Sequence, residues 1–234
     1  MESSVGRVRR RGLSGIVMIC ICTGLVMLAS GVGMRVVAAL NIAVTGQRLL
    51  AARPPFPLAG DRAVHAVDPF TPADGPPTQI RLPDLGLWND LQPVTQQVVW
   101  RDGQIDAAWE VRDAGWHSPS GWPGYGRNVV VAGHSPSRDP GVWSRSVFRQ
   151  LAHLNAADRL ELRAGNRVYT YAVSRVFAIP AAEADTEAAA GWISADAASG
   201  ERLTLVTCWP PHTAAYRVIV LALPVKSSEG NYGQ

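Results

Sequence analysis

The sequence predicts a mainly β domain, a closed or nearly closed barrel with one or two helical turns, carried behind a single N-terminal membrane helix. Three observations carry this. From Thr78 onward the chain is a succession of short runs rich in Val, Ile, Leu, Thr and aromatic residues, punctuated by Gly, Pro and Asp-Gly. That is the pattern of short strands joined by turns. Helical spacing of apolar residues in this region marks only one short helix, at 147–154. Finally, residues 13–34 are mostly apolar and carry no charge, long enough as a helix to cross about 30 Å of hydrocarbon.

In chain order, residues 1–12 hold Arg7, Arg9, Arg10 and Arg11, a basic tail expected on the cytoplasmic side of the span. A cleaved signal peptide has an apolar core of about 7–15 residues, so the length of 13–34 favours an uncleaved anchor. Residues 35–77 form a juxtamembrane segment, helical over 36–52, then a Pro- and Ala-rich linker. The domain proper is expected at 78–225. Its strands are read at 80–83, 85–88, 94–100, 129–134, 159–163, 168–177, 204–208 and 216–221. Asp102-Gly103 signals a hairpin turn, and 116–127 is a Gly, Pro and aromatic loop. Residues 179–200 are an Ala- and acid-rich connection with a helical turn. The tail, 226–234, is polar and expected to be disordered. No internal repeat is present.

At 234 residues the chain allows one domain plus appendages. A net charge of +3, with dispersed basic residues, gives no reason to expect nucleic acid. Of three cysteines, Cys20 and Cys22 fall inside the apolar run and read as membrane filler, since two ligands make a poor metal site. Cys208 then has no disulfide partner in an exported domain, so it is either a reactive thiol or a small buried hydrophobe. Glu183, Asp185 and Glu187 alternate, but a hard cation needs about 6–8 oxygens and solvated charges are the simpler reading. No metal or cofactor is assigned.

Cysteine, histidine and arginine each stand at a strand end: Cys208 closes Thr204–Cys208, His134 closes 129–134, and Arg217 opens 216–221. These are the parts of acyl transfer through a thioester. A thiolate is the nucleophile, and an imidazole can take its proton and return it to a leaving amine. An arginine offers planar, permanently charged donors to the tetrahedral oxyanion. Cys208 is therefore read as nucleophile, His134 as general acid/base and Arg217 as oxyanion or carbonyl stabiliser. Taken singly, each has a plainer reading, as core packing, a turn residue or a solvated edge charge. His212, close to Cys208 in sequence, rivals His134, but two prolines turn it outward and it is assigned to the substrate groove. His65, His117 and His153 carry no assigned role.

The run TLVTC at 204–208, AGH at 132–134 and YRVIV at 216–220 resemble the sortases. The resemblance implies an eight-stranded sortase-type barrel and a cysteine transpeptidase. It implies cleavage of exported proteins at a C-terminal LPxTG-type sorting motif, between Thr and Gly. The acceptor would be an amine, such as a peptidoglycan precursor or a pilin lysine, and the enzyme would face outward from the plasma membrane. It also implies a hydrogen bond from Thr207 near the oxyanion, making Thr207 and His212 substrate-binding residues. Loop 116–127 and the TCWPP turn are similar to class D/E members rather than pilin-polymerising ones. Asp68-Pro69-Phe70 resembles the lid tripeptide of the latter but reads as linker. The residues after His134, SPSRDP, depart from the commoner family loop, which bears on a substrate subsite. Two alternatives remain: a cysteine hydrolase with the same three residues, and a membrane-tethered binding module whose cysteine is inert.

Overall fold

The computed structural model describes residues 31–54, 71–101, 104–109, 113–135, 146–184, 191–193, 200–213 and 215–225. The basic tail, Cys20, Cys22, His65, the tripeptide 68–70, Asp185, Glu187 and the tail 226–234 lie outside these residues. So does the expected anchor as far as residue 30. The chain divides into two compact units, Met1–Val44 and Thr45–Gln234. In the first, the described part is the start of helix α1 (Gly31–Ala51). Met34, Val36, Val37, Leu40, Ile42 and Val44 are exposed along it. Among the described residues no helix is long and apolar enough to cross a membrane.

The second unit is mainly β. Its strands are β1 (Pro77–Leu82), β2 (Leu87–Asp90), β3 (Gln92–Val94), β4 (Gln96–Arg101), β5 (Gln104–Trp109), β6 (Ala114–His117), β7 (Asn128–Gly133), β8 (Arg159–Ala164), β9 (Arg167–Pro180), β10 (Arg202–Trp209) and β11 (Tyr216–Pro224). Nine of them form one sheet in the order β2-β1-β8-β9-β11-β10-β7-β6-β3, while β4 and β5 pair as a separate hairpin. The sheet's two edge strands, β2 and β3, are separated in sequence by Leu91 alone. The sheet therefore curls until its edges approach, a nearly closed barrel, which removes most of the exposed edge. Leu91 sits buried at that seam and donates its N–H to the Thr78 carbonyl at 2.8 Å.

The expectation of eight strands is corrected to nine. The predicted run 94–100 breaks at Thr95. Upstream of the break, Gln92–Val94 pairs in parallel with β6, and downstream Gln96–Arg101 pairs with β5. Pro93 has no N–H to donate, which suits a three-residue edge strand and not a central one. The 147–154 helix is shorter than its spacing suggests, a 3-10 turn at Leu151–His153.

The core lies on one face of the sheet, where Leu203, Leu205 and Trp209 of β10 meet Val218, Val220 and Ala222 of β11. Each large side chain removed from water here contributes roughly 1.5–3 kcal/mol. On the other face a smaller cluster joins Phe177, Ile179, Ile219 and Leu221 to Trp192. The second unit runs from Thr45, and Leu49 and Ala73 are buried in its main core.

Candidate active site

Alternation and register together place the three sequence-predicted side chains. In a strand, successive residues point to opposite faces, and paired residues on neighbouring strands share a face. Along β10, Leu203, Leu205 and Trp209 face the main core, so Cys208 faces the other side. Cys208 pairs with Arg217 of β11, and Arg217 pairs in turn with Ile179 of β9. On its other flank β10 runs parallel to β7, with Leu205 opposite Val131 and Val206 opposite Ala132. That ladder ends at the Val206–Ala132 pair, and His134 follows β7 directly after its last residue, Gly133. Arg217 and Cys208 thus stand side by side on one face of adjacent strands, with strand spacing of about 4.8 Å, and His134 leaves the end of the next strand, β7. All three are half-buried, placed on the fold yet open to solvent.

Several local devices hold these strand ends. The Thr207 hydroxyl donates to the Gly133 carbonyl at 2.8 Å, stitching β10 to β7 at the step beside Cys208 and His134. Thr207 is buried, and its hydroxyl is committed to the neighbouring strand. The geometry gives it the job of aligning the two strand ends. The His134 N–H donates to the Asp113 carbonyl at 3.4 Å, and the His134 carbonyl accepts from Phe148 N–H at 3.0 Å. Gly133 is required there, since a Cβ would sit 2.6 Å from the Phe148 ring. The loop after His134 is pinned at its ends, where Ser146 Oγ donates to the Ser135 carbonyl at 3.1 Å.

His212 lies in the β10–β11 turn, exposed, with φ +72°. It shares the rim with Cys208 but stands outside the strands. His117 ends β6, whose register runs Ala114 to Gly133 and Trp116 to Val131, so it sits towards the opposite end of the barrel from Cys208. Burial pushes its pKa down, opposed by a hydrogen bond to the Val94 backbone. His153 is exposed on its 3-10 turn.

A residue that sequence reasoning missed is Glu201, at the opposite end of β10. It is buried, and its carboxylate accepts from Tyr171 Oη at 2.7 Å, Gly124 N–H at 2.6 Å and Gly126 N–H at 3.3 Å. Burial first, and then the Glu201 charge, push the Tyr171 phenol well above its ordinary 10.0. No sequence signal marks Glu201, because its partners come from loop 118–127 and β9. Beside it, Thr204 Oγ1 donates within reach of Asn128 Oδ1 (2.8 Å) and the Trp192 carbonyl (3.2 Å), and Arg202 Nη2 donates to the latter at 3.0 Å.

Among the described residues no group of acidic, histidine and cysteine side chains is arranged to hold a metal ion. A thiol opposite a guanidinium, with a histidine just past the end of the next strand, is the set of groups that thioester chemistry uses.

Comparison with known proteins finds the sortase domain matching residues 80–225. Among solved structures, the chain is similar to sortase A from Corynebacterium diphtheriae, a lid mutant, at 17% identity over 65% of this chain and 72% of that one, TM-score 0.46. It is similar to the sortase D5 transpeptidase of Clostridium perfringens at 18% identity, covering 67% and 82%, TM-score 0.46. Sortase E1 from Streptomyces coelicolor, with a tripeptide in its active site, matches at 18% identity over 66% and 91%, TM-score 0.45. No curated protein matches.

Proposed function

The chain belongs to the sortase family, whose members are cysteine transpeptidases of sorting signals, and on that premise we propose that Cys208, His134 and Arg217 are its catalytic residues. The observation that supports this is the register that sets Cys208 opposite Arg217, with β7, which ends directly before His134, as the other neighbour of β10. The Cys208 thiolate attacks the carbonyl of the scissile Thr–Gly bond in an LPxTG-type motif. The tetrahedral oxyanion is stabilised by the Arg217 guanidinium. His134 delivers a proton to the departing glycine amine, and the thioester forms. An amine of a cell-wall precursor or a pilin then attacks the thioester, His134 takes its proton, and Cys208 leaves as the thiolate. Thr207 keeps the strand ends aligned, and His212 lines the groove at the same rim.

The enzyme is a single-pass plasma-membrane protein with the N-terminus inside and the barrel outside, of class D/E type. The uncharged run 13–34 and the exposed apolar residues from Met34 to Val44 support the anchoring. The test incubates the full chain in detergent with an LPxTG peptide, with and without an added amine. A ligated product with amine, lost by at least about 10³-fold in Cys208→Ala, is expected. Free acid as the sole product under both conditions reassigns the protein as a hydrolase, and unchanged turnover in Cys208→Ala ends the assignment.

A further inference from the structure

The second unit includes the end of α1 from Thr45 onward, and that stretch packs behind the Cys208–Arg217 pair. Gly46 lies directly on the Trp209 ring, where a Cβ would come 2.6 Å from Cη2 and 3.1 Å from Cζ3. Leu49, one turn on, is fully buried in the same core cluster as Trp209. The helix is fastened by Arg48, whose guanidinium donates to the Ala152 carbonyl at 2.7 Å, the Leu154 carbonyl at 3.4 Å and Asn155 Oδ1 at 3.3 Å. Just past the helix, Arg53 bonds Glu183 at 2.8 Å and stacks over Trp192 at 5.7 Å.

Trp209 is the residue after Cys208. Its register partner is Tyr216, the residue before Arg217, and the two rings stand 6.1 Å apart. Whatever displaces the Trp209–Tyr216 pair from the core face displaces Cys208 and Arg217 on the opposite face, because they share the same two strand ends. We propose that residues 45–51 of α1 are a positioning element for the Cys208–Arg217 pair, acting through Trp209 and Tyr216. Gly46 is the residue that lets the helix come close enough. This last part of α1 thus sets the geometry of the chemistry. This rests on the catalytic reading of Cys208 and Arg217.

The experiment compares wild type, Gly46→Leu, Arg48→Ala and the exposed control Leu50→Ala as full chains in detergent. It reads kcat and KM on the sorting peptide, thermal unfolding, and the rate of Cys208 alkylation by a small thiol reagent. Displacements of about an ångström cost up to about 100-fold in rate. Gly46→Leu is expected to lower kcat by about 10-fold or more, with KM within about 2-fold, and to change the alkylation rate. Arg48→Ala, which leaves the glycine contact intact, lowers kcat by a smaller factor and serves if Gly46→Leu does not fold. Adding Trp209→Leu to Gly46→Leu makes room for the new side chain and recovers part of the loss. Folded variants with wild-type kcat and alkylation rate overturn the inference, as does a loss expressed in KM alone. Alkylation reads the sulfur without the peptide, so a wild type that alkylates but turns over no peptide refutes the proposed function and leaves the helix's role separately measurable.

Discussion

The two ends of β10 have the same neighbouring strands and opposite character. At its start, Glu201, Arg202 and Thr204 are buried polar residues whose hydrogen bonds end on Tyr171, loop 118–127, Asn128 and the Trp192 carbonyl. At its finish, Cys208 is half-buried and pairs with Arg217, itself half-buried, as is His134 past the end of β7. A buried polar group must be satisfied internally or it costs about 1–3 kcal/mol. The first end meets that demand by tying distant loops together. The second leaves its chemistry-bearing groups where a substrate can reach them. One strand therefore fixes the barrel at one end and presents the sulfur at the other.

That contrast predicts variants that separate stability from turnover. Glu201→Ala leaves the Tyr171 hydroxyl and two glycine amides without their acceptor and is expected to cost about 4 kcal/mol in chemical denaturation. The Cys208 alkylation rate per folded molecule should stay near wild type, and a matching collapse in that rate breaks the division of labour. Arg217→Lys keeps the charge but loses the planar fork. Turnover should fall about 100-fold with thermal stability nearly unchanged, as measured by steady-state kinetics beside a melting curve.

Thr207→Val sits between the two regimes. Losing its bond to Gly133 should cost about 1 kcal/mol of stability, together with a several-fold drop in kcat as the Cys208 and His134 strand ends lose their stitch. The last effect appears only in alkali. The folded Tyr171 holds its proton more tightly than the unfolded chain does, so its contribution is intact below about pH 10. Above that pH the unfolded state ionises first and stability falls, by at most about 1.4 kcal/mol per pH unit. Denaturation of Tyr171→Phe between pH 9 and 12 should show a shallower decline than wild type. Equal slopes would mean that the Glu201–Tyr171 bond does not govern this end.

Much of the site was legible because strand ends announce themselves. The β-branched runs at 129–131 and 204–207 can only be buried strands, and each delivers one chemistry-bearing residue to its exit. The edges were harder to read. Leu85–Trp88 and Val94–Trp100 look like two ordinary strands, yet the turn at Gly86 (φ +61°) and the missing donor of Pro93 divide that region into the short strands of the seam. Glu201 and Gly46 gave no local sign at all, since their partners lie far away in sequence.

The sequence by itself determined that a cysteine, a histidine and an arginine would each sit at the mouth of a strand, because periodicity and turn residues are local properties. Only the tertiary structure decided that Cys208 and Arg217 share a face and that the strand leading to His134 runs alongside them. That depends on a parallel register between β7 and β10, which sets Asn128 beside Arg202 across 74 positions of sequence, and an antiparallel one between β10 and β11, which sets Cys208 beside Arg217. It also decided that α1 closes behind Trp209, because the packing of a glycine against an indole is a matter of shape, and shape appears only when the core is assembled.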